Sequence, residues 1–502
     1  MKWTECGDGT QCADAKVPLD YDHPDGTKIN ISLIRRLATD PSHRIGSIFV
    51  NNGGPGNSVL DFVRGGDSQS VLPEKVQKQF DVIGFDPRGV GRSTPVRCFI
   101  DNEAQQAFFA DRPGFPLTTA EIAKFTAGSA EIGRRCQERN GELLKHLSTA
   151  NVARDMDLLR RAVGDDQLTY AGYSYGGLLG LTYANLFPNR VRALMLDGLP
   201  DPREYTRDGG LANFLPASVR VDGAAATSRA LGAFFDACDQ GGKRCSFGAP
   251  DVRAKFDELM KRLKQKPVVV ETPDGPFTAT YAFVIDEIRS GLQFPPAWPF
   301  MADQLQATWD ATESAVASSR SARTPGSQTK RKDTPTEPAT NGATGQAPTR
   351  IADSYDNHRE ALLAVFCSET GNPRTPQIWP LIATLADQHA KYFGADWAYV
   401  AQPCATWPAK DADRFTGEYT AKTANPLLFV NGTSDAASNY EQAVKTVAVV
   451  PGARLLTVNG PGHPASFIPN SCLSDAAERY LVSLRLPEKG TVCTPDLAPF
   501  GE

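Results

Sequence analysis

Ile29, Ile31 and Leu33 alternate with polar neighbours, the period-two pattern of a strand with one buried face. The next apolar runs do not alternate. Ser47-Ile48-Phe49-Val50 stops at Asn51-Asn52-Gly53-Gly54-Pro55-Gly56, and Val82-Ile83-Gly84-Phe85 stops at Asp86-Pro87-Arg88-Gly89. Short continuous runs closed by turn residues predict strands buried on both faces. Val152, Met156, Leu159 and Val163 then recur at helical spacing before Gly164, and Leu168–Ala171 and Val191–Leu196 are further strand runs. Strands alternating with helices predict an α/β architecture with a mostly parallel central sheet flanked by helices. In such a sheet, sites form at the carboxyl edge of the strands.

From about 202 the pattern changes. Phe234, Phe235, Phe256, Leu259, Leu263 and Glu360–Phe366 read as helices with few strand runs between them. Strand character returns at Leu427–Val430 and Arg454–Val458, followed by a helix near Asp475–Leu484. The expected organisation is therefore a sheet-forming part at 1–201, an inserted, mainly helical region at 202–410, and the rest of the sheet at 411–502. Within the insert, 314–350 is rich in Ser, Thr, Pro, Ala and Gly and carries Lys330-Arg331-Lys332. That composition cannot bury a core, which predicts a disordered surface loop.

Composition narrows the class. The 502 residues are ample for a large core, and 53 Lys+Arg against 58 Asp+Glu leave a net charge of −5. A nucleic-acid partner would need a basic face, so none is expected. No apolar run is long enough to predict a membrane-spanning helix. Ten cysteines with no C-x-x-C pair predict disulfides and an oxidising compartment rather than a metal or redox motif. Closeness in sequence favours Cys6–Cys12 and Cys238–Cys245. The remaining pairing stays open on spacing alone. The start, Met1-Lys2-Trp3-Thr4-Glu5-Cys6, lacks the apolar core of a signal peptide. An exported protein would then be represented by its mature part behind an added Met1.

Gly172-Tyr173-Ser174-Tyr175-Gly176 is a G-x-S-x-G pattern between a strand run and a stretch of small and apolar residues, Leu178–Phe187. A strand–tight turn–helix needs glycine on both sides of the serine, because a Cβ there would clash in the bend, and the bend lifts the hydroxyl above the sheet edge. A serine hydroxyl needs a base. Of six histidines, His23, His43, His146, His358 and His389 sit in turn-like or polar helical contexts, whereas His463 directly follows the Arg454–Val458 run in Asn459-Gly460-Pro461-Gly462-His463-Pro464. Asp435 follows the Leu427–Val430 run and precedes His463. The order Ser174, Asp435, His463 is that of α/β-hydrolases, not of chymotrypsin or subtilisin. The Asn52–Gly56 turn suits an oxyanion hole, with the N–H groups of Gly54 and Tyr175 as candidate donors. It lacks the Lys-Ser/Thr of a P-loop and the G-x-G-x-x-G spacing, so no cofactor is expected, and no metal.

These stretches, with Val17-Pro18-Leu19-Asp20-Tyr21, Gly84–Ser93, Leu196-Asp197-Gly198 and Asn431–Asp435, make the sequence resemble the secreted tripeptidyl aminopeptidase-like branch of the prolyl aminopeptidase group of α/β-hydrolases. The resemblance implies a helical cap, a secreted or cell-envelope location, and disulfides Cys98–Cys136, Cys367–Cys404 and Cys472–Cys493 beside the two local pairs. It departs where Ala436-Ala437-Ser438 follows the acid in place of the usual Thr-Pro, and where Pro464 follows His463 in place of glycine. Both changes bear on the substrate more than on the triad.

The expected reaction is acyl transfer on a peptide or small ester, by a chain expected to be a monomer. An aminopeptidase must hold a free ammonium, which calls for a carboxylate. Glu369 is the first candidate, with Asp286 and Glu287 behind it, and Trp298 among Phe294, Phe300 and their prolines is a candidate pocket wall. An esterase or lactonase acting on a bulky apolar ester is the alternative, since the same triad serves both bonds. A binding module that has lost its chemistry would lack a triad member.

Overall fold

The computed structural model describes residues 1–110, 112, 114–272, 275–321 and 355–501, with the backbone alone for 316–321. Twelve strands are described: β1 (Thr4–Gly7), β2 (Thr10–Pro18), β3 (Lys28–Arg36), β4 (Gly46–Asn51), β5 (Phe80–Phe85), β6 (Leu168–Tyr173), β7 (Val191–Asp197), β8 (Val268–Val270), β9 (Phe277–Ala279), β10 (Leu428–Ser434), β11 (Arg454–Pro461) and β12 (Val492–Cys493). Ten of them form one sheet in the order β1-β2-β3-β5-β4-β6-β7-β10-β11-β12. β1 to β3 pair antiparallel, and β3 meets β5 antiparallel. From β5 through β4, β6, β7, β10 and β11 to β12 every pairing is parallel.

The continuous apolar runs have their physical reason in this sheet. A separate core covers each face, so both sets of alternating side chains are buried. Phe49, Ile83, Phe85 and Tyr170 face the core under the helices Thr149–Ala162 and Tyr175–Leu186. Ile48, Val50, Val82, Ala171 and Tyr173 face the other, closed by Val59–Arg64 and Ser471–Ser483.

Between β7 and β10 the chain leaves the sheet for a run of helices, among them Gly223–Gly241, Val252–Gln265, Tyr281–Gly291 and His358–Glu369, with the small antiparallel pair β8–β9. This region packs on the loops at the carboxyl edge of the sheet. The Thr227 hydroxyl donates to the Ala436 carbonyl at 2.7 Å, and the His463 N–H donates to the Gln293 carbonyl at 2.8 Å. The expected loop at 314–350 is met differently at its start. Residues up to Ser321 continue the helix Trp298–Ser321, because Ala311–Ala317 holds three alanines and a glutamate with no glycine or proline and extends a helix already anchored in the core at Leu305. The rest of that segment, 322–350, lies outside the described residues.

All ten cysteines are paired, as Cys6–Cys12, Cys98–Cys136, Cys238–Cys245, Cys367–Cys404 and Cys472–Cys493. Among the described residues no helix is long and apolar enough to cross a membrane.

Candidate active site

Five strands bring residues to the same carboxyl edge: β4 leads into Gly53-Gly54, β6 into Ser174, β7 ends on Asp197, β10 leads into Asp435 and β11 into the loop with His463. Ser174 sits at φ 57°, ψ −124°, a region costly for a residue with a side chain. The bend is held by its neighbours. The Ser174 N–H donates to the Asp197 carbonyl at 2.7 Å, and the Gly177 N–H donates to the Ser174 carbonyl at 2.8 Å. A Cβ on Gly172 would lie 2.3 Å from the Gly176 carbonyl oxygen, and one on Gly176 would lie 2.4 Å from that of Asn51. The glycines of the motif are therefore required by space.

The bend brings three predicted residues into one line. Ser174 Oγ lies 2.9 Å from His463 Nε2, and His463 Nδ1 lies 2.8 Å from Asp435 Oδ2. The other oxygen of Asp435 accepts the N–H groups of Ala437 and Ser438 at 2.8 and 2.7 Å. With Oδ1 fixed by two backbone donors, Oδ2 faces the ring and sets Nδ1 as the protonated nitrogen, leaving Nε2 free to accept from the serine. Burial of the imidazole works against its charged form, but the carboxylates of Asp435 and Asp197 outweigh it and raise its pKa above the ordinary 6.5.

Gly53 and Gly54 lie against this line. Gly53, at φ +89°, approaches so closely that a Cβ there would be 2.6 Å from the Tyr173 carbonyl oxygen, 2.8 Å from Ser174 Cβ and 3.2 Å from the Tyr175 nitrogen. Tyr175 opens the helix Tyr175–Leu186, so its N–H has no carbonyl one turn back. Gly53 gives its own N–H to Asn51 Oδ1 at 2.9 Å, so the N–H groups of Gly54 and Tyr175 remain the candidate donors beside the serine. Gly53→Ala is expected to lower kcat/KM by about 100-fold, the cost of displacing one such donor. The measurement is ester or amide turnover of a variant whose melting curve stays cooperative. Unchanged turnover would separate the Gly53-Gly54 turn from the chemistry.

The candidate substrate residues divide. Glu369 is 1 % exposed, and its carboxylate accepts the Thr149 N–H at 2.9 Å and the Thr149 hydroxyl at 2.8 Å. Burial pushes its pKa up to about 7. The Thr149 hydroxyl in turn takes the Tyr175 hydroxyl at 2.6 Å. Glu369 therefore braces the helix Thr149–Ala162 and the ring of Tyr175 from behind, and its carboxylate is enclosed. Asp286 is paired with Arg289, and Glu287 is exposed on the same helix. Trp298 is completely buried against Phe234, where an indole packs as core.

Two cavities open at Asn52, the residue before Gly53. One, of about 870 Å³, is polar, lined by Asp61, Asp86, Arg92, Arg97 and His358 among others. The second, of about 710 Å³, is lined by Val71, Leu72, Phe294, Phe467, Ile468 and Leu473 among others. Asn52, Phe62 and Asp67 line both. None of Glu369, Asp286, Glu287 or Trp298 lines either cavity, whereas Phe294, from the same proline-rich stretch as Trp298, lines the apolar one. One group of metal-ligating type lies together among the described residues, Asp20, His146 and Asp413, with donor atoms within 4.8 Å of one another. Asp20 is already engaged by His23. None of the three bonds to the Ser174 line.

Residue 197 escaped the sequence reading as a site residue. It lay inside the Leu196-Asp197-Gly198 stretch, but its partners are backbone groups, Ala465 and Ser466, that no side-chain pattern reveals.

The fold and this edge define an α/β-hydrolase, and the comparisons agree. Residues 46–270 match the model of the alpha/beta hydrolase fold, and residues 390–493 match the model of the TAP-like protein family. A tripeptidyl aminopeptidase of Streptomyces lividans is 30 % identical, covering 97 % of this chain and 84 % of its own. A carboxylesterase B of Mycobacterium tuberculosis is 30 % identical, covering 97 % and 86 %. The serine protease Hip1 of the same species is 28 % identical, covering 98 % and 91 %. The chain belongs to the tripeptidyl aminopeptidase-like family of α/β-hydrolases, and it is an enzyme of the serine-hydrolase type.

Proposed function

We propose that the protein is an exported aminopeptidase that releases short peptides or single residues from free N-termini, with Ser174, His463 and Asp435 as its catalytic triad. The observation that carries the chemistry is the hydrogen-bonded line of these three side chains at 2.9 and 2.8 Å, set on three separate strand ends. Ser174 Oγ attacks the scissile carbonyl carbon while His463 Nε2 takes its proton. The oxyanion is held by the N–H groups of Gly54 and Tyr175. Asp435 keeps the ring oriented and stabilises the imidazolium. His463 then protonates the leaving amine, and the acyl group on Ser174 is released by water activated at the same nitrogen. Residues 202–410 act as a cap that closes over this edge, and export is supported by five disulfides, bonds that persist in oxidising compartments.

The peptide reading rests on the relatives whose names are aminopeptidase and protease. A second reading, an esterase or lactonase, is favoured by the carboxylesterase relative and by the apolar cavity beside Asn52. The two part on a chromogenic tripeptide amide with a free N-terminus, run beside its N-acetylated twin and an apolar aryl ester. The expected result is turnover of the free peptide that is lost on acetylation. Turnover of the ester with both peptides untouched would overturn the aminopeptidase reading and leave the triad in place.

A further inference from the structure

The mechanism above leaves unused a buried carboxylate that lies beside the Ser174–His463 pair. Asp197 ends β7 with no exposure to solvent, one residue before a backbone that runs directly beneath the imidazole. A Cβ on Gly198 would lie 3.1 Å from both His463 Nδ1 and Cε1, and 3.3 Å from Asp435 Oδ2. Asp197 reaches both ends of the reacting pair. Its backbone carbonyl accepts the N–H of Ser174 at 2.7 Å. Its carboxylate accepts the N–H groups of Ala465 and Ser466, at 3.2 and 2.7 Å, in the loop that carries His463. Among the described residues no lysine or arginine bonds to this carboxylate, so its charge is balanced by backbone dipoles and by whatever positive charge forms nearby.

We infer that Asp197 is a positioning residue of the acyl-transfer reaction: it clamps the histidine loop to the strand beside Ser174, and its charge supports the imidazolium as a second carboxylate beside Asp435. The inference rests on the triad reading of Ser174, His463 and Asp435. Asp197 touches neither substrate nor the reacting atoms, and it acts through His463.

The titratable groups facing the imidazole are Asp435, from the loop after β10, and Asp197, from β7. Those facing Asp197 are Asp435, His463 and the buried phenol of Tyr173 on β6. Burial pushes the Asp197 carboxyl up to about 6, against the pull of the Ser466 N–H. A negative charge near the ring raises the pKa of the imidazole, which must be neutral to take the serine proton. Removing that charge lets the ring lose its proton at lower pH, and it also weakens the imidazolium in the transition state.

The test is the pH dependence of kcat/KM, with kcat and KM separately, for wild type, Asp197→Asn and Asp197→Ser on an aryl ester. Asp197→Asn preserves shape. Asp197→Ser is smaller and keeps a hydroxyl acceptor for the loop N–H groups, so a strained fold in one variant does not remove the other. The expected result is a fall of about tenfold in kcat with KM unchanged, and an acid limb moved down by about half a pH unit or more. A fall in kcat with an unmoved acid limb would reduce Asp197 to a purely structural clamp and overturn the inference. So would an unchanged kcat. Failure of the underlying triad is recognised separately, by Ser174→Ala or His463→Ala retaining full turnover.

Discussion

Ser174→Ala should lower kcat by about a millionfold. Nothing else at the sheet edge can replace the lost atom. Among the described residues the only side chain bonded to His463 Nε2 is the Ser174 hydroxyl, and the proposed backbone donors can polarise a carbonyl without attacking it. Turnover should therefore fall to the level that an oxyanion hole and binding supply alone, about 10³ over the uncatalysed reaction. His463→Ala should cost a similar factor, and the double variant should be no slower than either single one, because nucleophile and base act as one unit. Two measurements check this: steady-state hydrolysis of an activated aryl ester, and labelling by a fluorophosphonate probe, which should vanish in Ser174→Ala. Because alanine keeps the Cβ of Ser174 and with it the same backbone strain at φ 57°, the substitution should leave the fold as stable as before, and an unchanged melting curve beside the lost labelling would separate chemistry from stability. Residual activity above about one part in a hundred would move the nucleophile elsewhere.

The parts of the molecule that the sequence made legible share a physical cause. β4 to β7 and β10 are buried on both faces, and that burial forces continuous apolar runs whose ends are marked by turn chemistry. Ser174 and Asp435 stand immediately after such ends, and His463 follows the half-buried β11 through Gly462, so position and residue type together pointed to them. Glu369 shows the limit. Sequence records a charge but not its direction, and the partner that encloses this carboxylate, Thr149, is 220 positions away. Trp298 failed for the same reason: an aromatic among prolines reads equally as pocket wall or core, and its contact with Phe234 decides for core. The residues just after Ser314 read as loop by composition, yet they continue a helix whose earlier turns are anchored at Leu305 and Thr308. Asp197 carries no role legible in the sequence, since a carboxylate that binds backbone N–H groups 268 and 269 residues away leaves no spacing to find.

The largest effect on stability is expected at Arg88 and Asp155. Both side chains are fully excluded from solvent, and two bonds of 2.7 Å join them, Nε to Oδ2 and Nη2 to Oδ1. The guanidinium gives its remaining donors to the carbonyls of Pro18, Leu19 and His146 at 2.9 Å. It thereby ties the end of β2 and the segment before the helix Thr149–Ala162 to the turn that follows β5. Removing either partner leaves a buried charge uncompensated, so Asp155→Asn should cost about 3–5 kcal/mol, read as a lower urea midpoint. The double replacement Arg88→Met with Asp155→Leu should be milder than either single change, since no orphaned charge remains. The same turn holds a wall of the site. Asp86, two residues before Arg88, accepts the N–H groups of Val59 and Leu60 at the start of the helix whose Phe62 lines both cavities, and that of Arg92 from its own turn. Asp86 stays in place in the double variant, so its kcat should match wild type wherever it remains folded. A double variant that is stable but inactive would mean that the Arg88–Asp155 pair shapes the site itself, and not only the scaffold beneath it.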